Sequence, residues 1–144
     1  MQHRKISVLL VEDEPLLLAM YSEFLEEAGF VVTKASNGDE AWSLICSAGA
    51  FDVLLTDVRM AGQLDGIKLA YKCQAARPAI ARILMSGYMM SDVSIEPGLA
   101  RFIRKPFTSH LLVDAIMRCL SQFGTIDDGL HRSNEGPRPH KTVL

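Results

Sequence analysis

The sequence predicts an α/β fold: a doubly wound, five-stranded parallel sheet with strand order 2-1-3-4-5. Three observations predict it. Apolar runs of strand length alternate along the chain with segments of helical period, the pattern of repeated βα units. The first, third and fourth runs are almost purely apolar, as expected of strands covered by helices on both faces. The second run includes Thr33 and Lys34 and the fifth is bracketed by Arg101 and Arg104, and such polar residues blunt sheet edges. Runs two and five therefore belong at the edges, with one, three and four inside.

The first strand is Ile6 to Val11. After it, Leu17, Met20, Phe24, Leu25 and Ala28 recur at helical spacing, and Gly29 supplies a stop signal. Val31 to Ala35 is the second strand. Asn37 and Glu40 have the spacing of a capping box ahead of the stripe Ala41, Leu44, Ile45 and Ala48. Val53 to Thr56 is the third strand. A loop through Asp65-Gly66 leads to a helix with Ile67, Ala70 and Cys73 inward, ending before Pro78. The fourth strand is Ile83 to Met85. Between it and the fifth strand, Phe102 to Arg104, only Ser91 to Glu96 has room for a helix before Pro97-Gly98. A short or irregular fourth helix of about one to two turns is expected there. Thr108 or Ser109 caps a last helix that buries Leu112, Ala115, Ile116, Cys119 and Leu120. Apolar periodicity ends at Gly124, so residues 1–124 are expected to form the domain and 125–144 a disordered tail.

A chain of 144 residues suffices for one domain with its own core. Its formal net charge of -2 and scattered Lys and Arg argue against direct binding to nucleic acid. The longest apolar runs are of strand length, which leaves no candidate membrane helix. Met1 to Lys5 is basic, but the apolar run behind it is too short for a signal peptide and ends at Glu12-Asp13-Glu14. Cys46, Cys73 and Cys119 are odd in number, widely spaced and set among apolar residues, so they read as reduced core thiols. A cytoplasmic location is the expectation.

Four strands close on polar groups. Glu12 and Asp13 follow the first, Asp57 the third, Ser86 the fourth and Lys105 the fifth. In an open parallel sheet these C-terminal ends form the crevice where ligands bind. Each residue alone has a plain structural explanation: helix starts for Glu12-Asp13, a cap for Asp57, a strand-end hydroxyl for Ser86, a surface lysine for Lys105. Their occurrence together at different strand ends favours one site. Three carboxylates in one pocket repel and need a counter-charge. Magnesium suits them, because it binds through a few carboxylates plus water and phosphate oxygens. Asp13 is expected as a direct ligand and the longer Glu12 as one acting through water. Glu14 begins the first helix. Asp57 is the candidate nucleophile, since carboxylates can form acyl-phosphates. Lys105 offers a point charge, and Ser86 a hydroxyl donor, to phosphoryl oxygens.

These residues lie in five fragments: Val-Leu-Leu-Val-Glu-Asp-Glu-Pro at 8 to 15, Leu-Leu-Thr-Asp-Val-Arg-Met at 54 to 60, Leu-Asp-Gly at 64 to 66, Met-Ser-Gly at 85 to 87 and Phe-Ile-Arg-Lys-Pro-Phe at 102 to 107. The ordered set resembles the receiver domain of two-component response regulators, whose fold is the flavodoxin-like (βα)5 sheet. The resemblance implies that Asp57 accepts a phosphoryl group from a histidine kinase or phosphotransfer protein. It implies that Glu12, Asp13 and Asp57 hold Mg2+ with the backbone carbonyl of Arg59. Ser86 takes the switch-hydroxyl role, Phe102 the place of the switch aromatic and Lys105 the phosphate-pairing role, with Lys105-Pro106 cis. A downstream protein, unidentified by the sequence, would read the change, and the chain is expected as a monomer or weak dimer.

The chain departs from the family pattern in places. Ala61 stands where proline is usual, and Gly62-Gln63 lengthens the acceptor loop by about one residue. The stretch from Ser86 to Lys105 is short, which puts the usual partner surface in doubt. Met85-Ser86-Gly87-Tyr88 looks most like receivers fused to hybrid sensor kinases, and Arg59 and Tyr88 flank the acceptor. The tail is too poor in apolar residues to fold as a DNA-binding domain, so output through a partner, a relay role or a place in a larger protein is expected. A signalling phosphoacceptor, not a turnover enzyme, is the reading. An aspartyl-phosphate hydrolase needs a second carboxylate beside the nucleophile, and Val58 and Arg59 follow Asp57. The alternative is a phosphorylation-independent interaction module, against which the complete set Asp13, Asp57, Ser86 and Lys105 argues.

Overall fold

In the computed structural model, residues 4–47, 49–60, 62–87 and 94–123 are described. β1 (Ser7–Val11) pairs in parallel with β2 (Val31–Ala35) on one side and β3 (Val53–Asp57) on the other. β4 (Ala81–Ser86) and β5 (Arg101–Arg104) continue the sheet to give the order β2-β1-β3-β4-β5. The expected topology is therefore found, with the polar runs at the two edges.

Side chains alternate across the sheet, and both sets along β1 are apolar. Val8 and Leu10 join Val53, Leu55, Ile83 and Met85 beneath α1 (Pro15–Glu27) and α4 (Ser109–Phe123). Leu9 and Val11 join Leu54 beneath α2 (Gly38–Ser47) and α3 (Gly66–Ala76). The helix starts follow local chemistry. Asn37 Oδ1 accepts from the Glu40 amide at 2.7 Å, while the Glu40 carboxylate reaches back to the Ser36 amide at 2.8 Å and hydroxyl at 3.0 Å. Asp65 accepts from the Lys68 amide at 2.9 Å, and Thr108 Oγ1 from the Leu111 amide at 3.1 Å, so Thr108 is the last cap. Gly29, with φ 98°, takes the left-handed turn after α1.

Three expectations need correction. The buried face of α1 is turned by about one residue from the expected stripe: Tyr21, Ser22 and Leu25 are buried, whereas Met20 and Ala28 are exposed. Both faces have apolar candidates at helical spacing, and packing against α4 and Phe107 selects the Tyr21 side. Cys46 is exposed on α2, because the α2 face that packs on the sheet runs through Ala41 and Ile45; Cys73 and Cys119 are core thiols as expected. Ala115 is half-buried rather than buried, while Ile67 faces inward as expected, packed against the core.

The β4–β5 connection, where the sequence predicts a short or irregular helix, is described only in part. Ser94–Glu96 form no helix; Ser91–Val93, the rest of the expected segment, lie outside the described residues, as do Ala61, Tyr88 and the tail at 125–144. Leu99 plugs the gap from the loop, fully buried against Val58, Ala70 and Leu84. β4 also begins two residues early, and its second residue, Arg82, is 3% exposed. Its guanidinium donates to the carbonyls of Leu99 and Ile80, each at 2.6 Å, and of Pro78 at 3.3 Å. Those acceptors make the burial of a cation tolerable. Among the described residues no helix is long and apolar enough to cross a membrane.

Candidate functional site

Backbone bonds carry the strand ends to one place. The Glu12 amide, just past β1, donates to Ala35 at 3.2 Å. The Val58 amide, just past β3, donates to Met85 at 3.1 Å, and the Lys105 amide, just past β5, donates to Ser86 at 2.8 Å. Gly66 lies so close to the carbonyl of Asp57 that any side chain there would collide with it, which lets α3 start directly beside the end of β3.

Glu12 is 1% exposed. One of its oxygens accepts from Lys105 Nζ at 2.9 Å and the other from the Glu14 amide at 3.1 Å. Lys105 Nζ also stands 3.2 Å from Asp57 Oδ1, so a single ammonium bridges two carboxylates. Oxygens of Glu12, Asp13 and Asp57 all lie within 4.8 Å of one another. Asp13 is the exposed member, and Asp57 keeps 14% of its side-chain surface. Beside them opens a cavity of about 340 Å³ lined by Asp13, Arg59, Met60 and Asp65.

The electrostatics follow from this crowding. Burial pushes the Asp57 carboxyl up to about 6; Glu12 and, less strongly, Asp13 push the same way, while Lys105 opposes them. Burial pulls the Lys105 ammonium down, but its bond to Glu12 and the charges of Asp57 and Glu12 outweigh that, leaving it raised. Three carboxylates against one ammonium leave an excess of negative charge. Converging hard oxygens with that excess fit a divalent cation such as magnesium.

Glu12, Asp13, Asp57 and Lys105 thus come together as the sequence suggested. Ser86 is half-buried at the end of β4, one register step beyond Met85, which pairs with Asp57. Arg59 is exposed beside the cavity. Phe102 is exposed on β5, opposite Leu84 in register. The Lys105-Pro106 bond is cis. Sequence reasoning missed Tyr21, whose ring lies 5.8 Å from Lys105 Nζ. Its place four residues after Leu17 and four before Leu25 was the available signal.

A doubly wound sheet with acidic groups and a lysine at its strand ends defines a class of α/β domain that carries its charged groups in the crevice where such sheets bind ligands. Comparison with known proteins narrows this. Residues 8–117 match the response regulator receiver domain family. The response regulator receiver protein CpdR of Brucella abortus is 31% identical over 116 residues, covering 78% of this chain and 95% of its own length. The C4-dicarboxylate transport transcriptional regulatory protein DctD of Rhizobium meliloti is 34% identical over 115 residues, 78% of this chain and 25% of its own. A response regulator receiver protein from Sinorhizobium medicae superposes with a TM-score of 0.72 at 29% identity, covering 83% of this chain and 98% of that one. The chain belongs to the response regulator receiver domain family. It spans 25% to 30% of the first curated relatives it matches.

Proposed function

We propose that this receiver is a phosphoacceptor that takes a phosphoryl group on Asp57 from a histidine kinase or phosphotransfer protein and passes the signal to a partner protein. The observation that carries the reading is Lys105 held between Glu12 and Asp57 while the three carboxylates converge.

An oxygen of Asp57 attacks phosphorus. The phosphorus–nitrogen bond of the donor phosphohistidine breaks, its electron pair leaves with the imidazole, and that nitrogen takes up a proton. Asp57 must be ionised to attack, and a carboxyl at about 6 is mostly so at neutral pH. Lys105 moves from carboxylate oxygens to a phosphoryl oxygen, and Ser86 donates its hydroxyl to another. Glu12, Asp13 and Asp57, with the Arg59 backbone carbonyl, would hold Mg2+, which supplies positive charge against the incoming phosphoryl group. Asp13 would serve as a direct ligand, and Glu12, already bonded through both oxygens, would act through water. The new contacts of Ser86 and Lys105 exist only in the phosphorylated form, and such differential contacts shift a conformational equilibrium. Phe102, exposed on the same strand that leads to Lys105, is the aromatic placed to report the shift. The unit is residues 1–124 acting in the cytoplasm as a monomer or weak dimer, with 125–144 as a tail.

Intact-mass spectrometry after incubation with a small phosphodonor tests this. One added phosphoryl group is expected on the wild type with magnesium, and none without magnesium or on Asp57→Asn. No added mass together with no binding of beryllofluoride, an acyl-phosphate mimic, would favour the phosphorylation-independent module.

A further inference from the structure

Tyr21 has no part in the chemistry above, yet it is placed beside that chemistry. It sits on α1 at 3% exposure, eight positions along the chain from Asp13. Its ring packs on Phe107, with centroids 4.9 Å apart and planes at 31°. Phe107 in turn follows Lys105 by two residues, across the cis bond. The Lys105 ammonium lies 5.8 Å from the centre of the Tyr21 ring, within the reach of a cation–π attraction. Such an attraction gains weight where the cation is partly withdrawn from water, and the Lys105 side chain keeps only 18% of its exposure. Among the described residues none hydrogen-bonds the Tyr21 hydroxyl, so the ring and not the hydroxyl makes the contacts. The charges that act on the phenol are those of Lys105, Glu12 and Asp57, after burial itself.

Two carboxylates compete for Lys105, and Glu12 at 2.9 Å is nearer than Asp57 at 3.2 Å. A flexible four-carbon stem drawn to Glu12 alone would have to be pulled back each time Asp57 is modified. An aromatic face on a third side restricts that stem before the phosphoryl group arrives, which is how positioning groups lower the cost of reaction.

We propose that Tyr21, braced by Phe107, is a positioning residue for Lys105, its ring holding the ammonium between Glu12 and Asp57 so that its move to a phosphoryl oxygen is short. The inference rests on the phosphoacceptor reading of Lys105.

The test uses the full chain and two titrations by calorimetry: magnesium alone, and beryllofluoride at saturating magnesium. Tyr21→Leu should weaken beryllofluoride binding about five- to tenfold while leaving magnesium affinity within about twofold. Tyr21→Phe should stay within about twofold of wild type in both. In a Lys105→Met background, Tyr21→Leu should have no further effect, because a residue that acts through Lys105 has nothing left to act on. Phe107→Leu, a milder change to the brace, should give a smaller loss in the same direction and serves if Tyr21→Leu does not fold. An undiminished loss in the Lys105→Met background, or equal losses for magnesium and beryllofluoride, would reduce Tyr21 to core packing and overturn the proposal. Wild type that binds beryllofluoride with Tyr21→Leu unchanged overturns this inference alone. Wild type that binds neither ligand overturns the phosphoacceptor reading beneath it.

Discussion

The β2-β1-β3 half of the sheet and the β4–β5 half build the same kind of strand end by different means. In the first half each strand is followed by a helix with a local start signal, and the inner strands are buried on both faces. In the second half the described part of the connection from β4 to β5 contributes a buried loop leucine whose carbonyl is held by a buried arginine. The difference teaches that cover for a parallel sheet can come from a single loop side chain tied to a buried cation as well as from a helix. It also divides the site. The acidic oxygens come from the first half, and the groups proposed to meet a phosphoryl oxygen, Ser86 and Lys105, come from the second.

That division can be broken from either side. Asp13→Ala removes the exposed oxygen of the first half, and it should abolish the magnesium dependence of phosphoryl uptake, read as added mass against magnesium concentration. Lys105→Ala acts on the second half, and it should leave phosphorylation detectable while removing the conformational response. Amide chemical shifts in β5 and α4 before and after beryllofluoride provide the measurement, and normal shifts in the variant would refute the assignment. Arg82→Met keeps the length and apolar stem but leaves the Leu99 and Ile80 carbonyls without their donor. A loss of about 2–4 kcal/mol in urea unfolding is expected, with hydrogen exchange rising first around Leu99 to Arg104. Uniform acceleration across all five strands would contradict the local role given to Arg82.

The smallest effect concerns pH. Asp57 has a folded carboxyl at about 6 against an ordinary 3.8, so the folded state holds its proton more tightly than the unfolded chain does. Stability from this group is therefore present below pH 4 and is lost as pH rises through 6. Asp57→Asn escapes that loss. With divalent metal chelated it should melt a few degrees above wild type at pH 7.5, and the advantage should shrink on acidification toward pH 4. A constant difference across that range would show that carboxylate crowding is not its cause.

The first half was the more legible in the sequence. Asn37, Asp65 and Gly29 signal helix ends through bonds and backbone angles set within a few residues, and a strand end followed by a carboxylate reads directly from the apolar run before it. The rotation of α1 was not legible, because Met20 and Tyr21 are both apolar enough to face a core and only distant partners choose between them. Arg82 was hidden for a related reason. A charged residue at the start of a strand reads as surface until the carbonyls that receive it, one of them 17 residues along the chain, are brought close. In the described part of the β4–β5 connection burial rests on a single residue, Leu99, its carbonyl held by Arg82 of β4, and a periodic signal needs several.

Trp42, the only tryptophan in the chain, sits on α2 with the Lys72 ammonium 4.6 Å from its ring and packs on the same cluster as Met60, which lines the cavity. The protein therefore has a built-in optical reporter wired to the carboxylate half and distant from β5. Emission that responds to magnesium but stays silent when beryllofluoride follows would locate the second event at Lys105 and its strand, using no label at all.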